Sequence, residues 1–212
     1  MSRRALAVGV LCAAAASGCG DRRTPPPDIG RPANPVSFSR AIFPTQGVIF
    51  RGPTNWLLIH GYPPEVATIH DGQAFVAIWR YPRVEPLPAT TTELRADIPA
   101  LLRAVRARDR TFALLSARPT TLDRHPAISI EGFETIAGQP LQVRSVHTFY
   151  NHAEVVLDSF APPSDFARID RLVFTPLLRS VRLRPPSTTA TPPTPATPST
   201  TATPPSPAPP HG

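Results

Sequence analysis

Six histidines and a scatter of serines and carboxylates carry whatever acid–base or nucleophilic chemistry this 212-residue chain can perform, because the stronger reagents are missing. The chain has no lysine; all 22 basic residues are arginine. A Schiff-base lysine, a lysine general base and a Walker-type phosphate-binding lysine are therefore excluded. Both cysteines, Cys12 and Cys19, lie within the first 19 residues. That excludes a cysteine nucleophile, a disulfide framework and a thiolate metal site from everything downstream.

Each remaining candidate has a specific geometric requirement. His60-Gly61 resembles the oxyanion-loop dipeptide of α/β-hydrolases, but no G-x-S-x-G elbow accompanies it, so it reads as a histidine at a strand end. Asp123-Arg124-His125, with Ser116 and Ser129 nearby in sequence, supplies the residue types of a triad without the orientation a triad needs. His125 precedes Pro126 and reads as a surface histidine in a loop. His147 and His152 flank a turn and can face each other only across a four-residue loop. A two-residue loop at Asn151-His152 would instead set His147 beside Val156. No third ligand stands at metal spacing, so neither a metal nor a cofactor is expected. Glu131, Glu134 and Asp158 are scattered acids with no pairing visible in sequence.

Two binding features complete the inventory. Arg95, Arg103 and Arg106, followed by Arg108 and Arg110, lie away from an apolar stripe and read as a solvated helix face or an anion-binding strip. Trp56, Trp79 and Tyr81 could line a ligand cleft, although at 7% aromatic content the core has first claim on them. Residues 38–184 hold 17 arginines against 13 acids. This surplus suits anionic headgroups or wall polymers and falls short of a nucleic-acid footprint, so no nucleic-acid partner is expected.

The elements that must position these residues begin with an address. Met1-Ser2-Arg3-Arg4 is a basic leader and Ala5 to Ala16 a twelve-residue apolar run, the pattern of a signal peptide over residues 1–18. Ala16-Ser17-Gly18-Cys19 resembles a bacterial lipobox, with Ala16 where leucine is usual, and Cys19 becomes the lipidation site. Residues 19–37 read as a proline-rich tether. At the far end, Ser187 to Pro198 is repeated by Ser199 to Pro210 at ten of twelve positions. The composition makes residues 185–212 a disordered Pro/Thr-rich tail.

Between the ends, residues 38–184 form one domain. Asp71-Gly72 between two apolar runs is the strongest hairpin signal. Thr90 and Glu93 have capping-box spacing ahead of Leu94, Ile98, Leu101, Leu102 and Val105, predicting a long helix over about 92–108 in which Pro99 sets a start or a kink. Four β-rich segments follow: Thr111 to Ala117, Ala127 to Ile136, Leu141 to Tyr150 and Ala153 to Phe160. A second helix over about 165–180 carries Phe166, Ile169, Val173 and Leu177 on one side. Strands arriving in hairpin runs predict an α+β fold, an antiparallel sheet of about six to eight strands packed by two helices.

Two segments carry a family likeness. Gly47-Val48-Ile49-Phe50-Arg51-Gly52-Pro53-Thr54-Asn55-Trp56 reads as strand, proline, tryptophan, and Val173-Phe174-Thr175-Pro176-Leu177-Leu178-Arg179-Ser180-Val181 closes the domain. Together with the element order they resemble the PsbP-like fold of photosystem extrinsic subunits, Ran-binding Mog-type proteins and actinobacterial LpqN-type lipoproteins. The resemblance implies a binding or assembly factor without catalysis.

The expectation is a non-enzymatic lipoprotein, exported and anchored at the extracytoplasmic face of the cell membrane by membrane lipid on Cys19. Its domain would bind an envelope protein or a small apolar ligand. The alternatives are an exported hydrolase with a Ser/His site and a wall-associated structural protein acting through its tail. A catalytic site would show convergent Ser, His and carboxylate groups in a concave pocket.

Overall fold

The computed structural model describes residues 30–187. The signal sequence, Cys19 and the repeated tail beyond Ser187 lie outside the described residues. Ten strands and a broken helical segment follow in chain order: β1 (Phe38–Phe43), β2 (Val48–Pro53), β3 (Leu57–His60), β4 (Glu65–Asp71), β5 (Ala74–Pro82), α1 (Thr91–Arg108), β6 (Ala113–Leu122), β7 (His125–Ile136), β8 (Gln139–Phe149), β9 (Ala153–Ala161), α2 (Pro163–Ile169), a π-helical turn (Asp170–Phe174), α3 (Thr175–Ser180) and β10 (Arg182–Leu183). The architecture is α+β. Its main sheet has seven antiparallel strands in the order β3-β4-β5-β9-β8-β7-β6, and β1-β2-β10 make a small second sheet.

Turn chemistry sets the register. Asp123-Arg124, Ala137-Gly138 and Asn151-His152 each form a two-residue hairpin loop with both residues at positive φ. Left-handed backbone at both loop positions matches the right-handed twist of the flanking strands, which is why non-glycine residues adopt it here. The consequence at the third turn is that His147 pairs with Val156, as a two-residue loop requires. The first turn corrects one expectation: His125 sits at the start of β7, not in a loop, with its ring 4.4 Å from that of Tyr150. β6 runs on through Pro119, which an edge strand tolerates because its outward N–H has no partner to lose.

The central strand β9 is buried at every position because both faces of the sheet are covered. One face packs α2, the π-turn and α3 through Phe166, Ile169, Val173, Phe174 and Leu177 onto Val76, Ile78, Val146, Val155 and Leu157. The opposite face packs α1 through Leu94 and Val105 onto Ile128, Ile130, Val143 and Phe160. The capping box forms as spaced: Thr90 accepts from the Glu93 N–H, and the Glu93 carboxylate accepts from the Thr90 N–H. α1 continues through Pro99 without ending there. Pro176 acts differently. It cannot donate a backbone hydrogen bond, and the chain widens just before it, Thr175 N–H donating to Asp170 O five residues back. The single closing helix expected over 165–180 is thus three segments with one continuous apolar side.

The ends of the domain are tied more tightly than a solvated tether or a free tail would be. Pro32 is buried. Ala33 N–H donates to Asp71, the Trp56 indole N–H donates to Ala33 O, and Arg168 donates to Pro32 O and to the Asn34 side chain. At the other end, Arg184 N–H donates to Gly47 O and Ser187 N–H to Pro44 O.

Candidate functional site

Polar groups converge in two places, one on each face of the main sheet. Alternation along β8 separates them: Ser145 and His147 project to the α1 face, Arg144 and Val146 to the face of the C-terminal helices.

On the α1 face, Ser145, His147, Glu154 and Asp158 form one hydrogen-bonded chain, each at 8% exposure or less. His147 Nδ1 lies 2.7 Å from Glu154 Oε1, His147 Nε2 lies 2.9 Å from Ser145 Oγ, and Ser145 Oγ donates to Asp158 Oδ1 at 2.5 Å. Arg83 closes the far end by donating to Glu154 Oε2. This is the Ser–His–carboxylate order of a hydrolytic triad. Two features set it apart from one. The serine proton goes to a second carboxylate instead of the imidazole, and the whole chain is buried. Burial pushes the Glu154 carboxyl up, but hydrogen bonds from His147 and Arg83 outweigh it and hold that carboxyl below its ordinary range. Glu134, buried nearby on the same face without such donors, is pushed up by desolvation, with Arg108 opposing and Asp109 and Asp158 adding to the rise.

The opposite face carries an open cleft of about 500 Å³. Six arginines line it: Arg118 from β6, Arg124 from the β6–β7 turn, Arg144 from β8, Arg179 from α3, Arg182 from β10 and Arg184 just beyond. Leu178 supplies apolar surface above the nearly buried Leu122 and Val146, and Thr120, Thr121, Thr175 and Ser129 line it with hydroxyls. Arg144 is pinned, donating to Thr175 and Asp170 and lying 3.4 Å from Glu131. Desolvation raises the Asp170 carboxyl although Arg144 opposes it. Among the described residues, Asp123 is the one acid lining the cleft, and its Oδ2 accepts the Leu183 N–H at 2.8 Å, stitching β10 to the β6–β7 turn. Arg182 and Arg184 lie 3.8 and 3.7 Å from it. Among the described residues, no carboxylate lies within 4 Å of the Arg118, Arg124 or Arg179 guanidinium.

The residues singled out from sequence fall as follows. Arg95, Arg103 and Arg106 are exposed on α1, away from the arginine cleft. Trp79 and Tyr81 stack at 6.2 Å on the α1 face, whereas Trp56 is buried in the core on the other side of the sheet, so the three do not share a cleft. Asp123 and His125 make no contact resembling a triad. His60 contacts the Phe43 ring at 5.0 Å. His147 does find Ser145 and a carboxylate, and that carboxylate is Glu154, which sequence reading passed over. The missed signal was the alternation of polar residues at 145, 147, 154 and 158 either side of a two-residue turn. The cleft gave no sequence signal, since its arginines are spread over 118–184. Among the described residues no cluster of His, Cys, Asp or Glu has the arrangement of a metal site, and no helix is long and apolar enough to cross a membrane.

No protein-family model matches the chain, and no curated protein is significantly similar to it. Solved structures are similar. The cyanobacterial PsbP (CyanoP) of Synechocystis sp. PCC 6803 aligns at 14% identity and a TM-score of 0.55, covering 70% of this chain and 93% of that one. LpqN, involved in cell envelope biogenesis of Mycobacterium tuberculosis, aligns at 12% identity and a TM-score of 0.48, covering 70% and 91%. PA94 of Pseudomonas aeruginosa, a putative regulator, aligns at 14% and 0.47, covering 70% and 98%. The domain has the PsbP-like fold.

Proposed function

We propose that this protein is a non-catalytic binding module of the cell envelope, tethered at the extracytoplasmic face of the membrane through Cys19, and that the arginine-lined cleft is its binding surface. The observation that carries the reading is the contrast between the two faces. The cleft is open and, among the described residues, three of its six arginines (Arg118, Arg124 and Arg179) have no carboxylate partner, whereas the Ser145–His147–Glu154 chain is buried and internally hydrogen-bonded. Pockets that take ligands are concave, with a few polar groups convergent on apolar walls, and the cleft has that character. The leader and lipobox supply the address. The hydrolase alternative would draw on the buried chain, and there the serine proton is directed away from the histidine.

A photo-crosslinking residue at Thr120, inside the cleft, and another at Ala96, on the exposed side of α1, test the reading in the full chain expressed with its leader. Envelope adducts formed from position 120 and not from 96 are expected. Ester hydrolysis by the purified protein that disappears in Ser145→Ala would reverse the assignment in favour of the hydrolase.

A further inference from the structure

We infer that the cleft recognises a phosphate-bearing amphiphile, an inference that rests on the binding-module reading and names its ligand class. Three observations lead there. The first is uncompensated charge. Arg144 is saturated by Asp170, Glu131 and Thr175, but Arg118, Arg124 and Arg179 have no carboxylate partner among the described residues. A chain that uses only arginine explains why these cations are guanidinium groups. It does not explain why six of them, drawn from four elements and a turn, line one depression whose one acid among the described residues, Asp123, is shared by a backbone N–H, Arg182 and Arg184.

The second is donor geometry. A guanidinium presents a planar fork suited to two oxygens at once, and several forks around one site call for a head group with three or more oxygens and more than one negative charge. A phosphate meets that requirement and a lone carboxylate does not. The third is the rest of the lining. Half-buried Leu178 offers apolar surface beside the rim, over a floor to which the core residues Leu122 and Val146 contribute only an edge, and about 500 Å³ is room for a ligand of organic-molecule size, more than an isolated anion requires. An apolar segment lying against Leu178 with its phosphate at Arg118, Arg124 and Arg179 matches this lining.

Titration calorimetry on the purified full chain tests this with four probes: inorganic phosphate, monomeric dihexanoyl phosphatidic acid, monomeric dihexanoyl phosphatidylcholine, and phosphatidylcholine vesicles with and without phosphatidylglycerol. Variants are Arg118→Gln, Arg179→Gln and, as a control on α1, Arg103→Gln. Arg118 and Arg179 are exposed, so unchanged melting temperatures are expected and separate binding loss from misfolding.

Dihexanoyl phosphatidic acid should bind at least tenfold more tightly than inorganic phosphate or the zwitterionic lipid, and added salt should weaken it. Arg118→Gln and Arg179→Gln should each weaken it about tenfold or more, with Arg103→Gln unchanged. Equal affinity for inorganic phosphate would overturn the amphiphile and leave a phosphate site. Binding to anionic vesicles alone, lost equally in Arg103→Gln, would mean a diffuse basic surface and overturn the site. If no anionic probe binds while Thr120 still forms envelope adducts, this inference fails and the binding-module reading stands. If both experiments are blank, both fail.

Discussion

Ser145 and Asp158 stand opposite each other on β8 and β9, and the serine hydroxyl gives its proton to Asp158 Oδ1 at 2.5 Å. That bond decides what the neighbouring His147 and Glu154 can do. A nucleophilic serine must pass its proton to the imidazole. Here the hydroxyl instead links two buried carboxylates, Asp158 directly and Glu154 through His147, in a network whose other end is Arg83. A satisfied buried network of this kind rigidifies the pairing of strands and costs heavily when broken.

Ser145→Ala should therefore lower stability by about 1–3 kcal/mol, because it leaves the Asp158 carboxylate buried without its donor. Chemical denaturation measures this. A loss below about 0.5 kcal/mol, the range of ordinary surface substitutions, would show that solvent reaches Asp158 and that the network is looser than described.

Two buried carboxylates on this face should respond to pH with opposite signs. Glu154 is held below its unfolded value, so it stabilises the fold above about pH 4.3 and loses that contribution as pH falls through its folded value. Glu134 is raised by burial, so its ionised form disfavours the fold at neutral pH, and the penalty fades as pH falls through the raised value. At neutral pH, Glu154→Gln should be destabilised and Glu134→Gln unchanged or more stable, and the two differences from wild type should converge on acidification. Urea denaturation across pH tests the pair. Parallel behaviour of the two variants would contradict the assignment.

A chain beginning at Phe38 should melt several degrees below one beginning at Gly30. Residues 30–37 supply the acceptor for the buried Trp56 indole, a ligand for Asp71 and two acceptors for Arg168, and each lost bond costs about 1 kcal/mol. Trp56 fluorescence should shift to the red in the shorter chain. Equal melting and unchanged emission would return residues 30–37 to the tether.

Gly132→Ala should destabilise by about 1–3 kcal/mol, since a Cβ there would stand 2.5 Å from the Phe112 ring and 2.7 Å from Ala113 O. The ring lies over the glycine, so replacing Phe112 with leucine in the same chain should recover part of the loss. No recovery would point to the carbonyl as the obstacle.

Cys19→Ser should release the protein from membranes. Under the proposed tethering, acyl chains on Cys19, each contributing about 0.8 kcal/mol per buried methylene, would hold the domain to the bilayer. Fractionation and detergent partitioning decide it. A Cys19→Ser protein that fractionates as the wild type does would overturn the proposed lipidation at Cys19.

The sequence alone determined the α+β class, the capping box of α1, the apolar side of the closing helix and the existence of the β4–β5 hairpin, whose loop is Gly72-Gln73, one residue on from the expected Asp71-Gly72 because Asp71 pairs with Ala74. These depend on neighbours within a turn or two, where spacing translates directly into geometry. It also excluded lysine and cysteine chemistry from the domain. It under-read β1, and it read a tether where residues 30–37 dock, because their hydrogen bonds run to Asp71, Trp56 and Arg168, which local composition does not reveal. The tertiary structure alone decided the two sites. Whether Trp56 meets Trp79 depends on which face of the sheet each occupies. Whether His147 meets Ser145 and Glu154 depends on a loop of two residues instead of four. Only the packing of β6, β8, α3 and β10 brings Arg118, Arg144, Arg179 and Arg184 to one cleft, because a cleft is formed by chain crossings and sequence spacing carries no record of them.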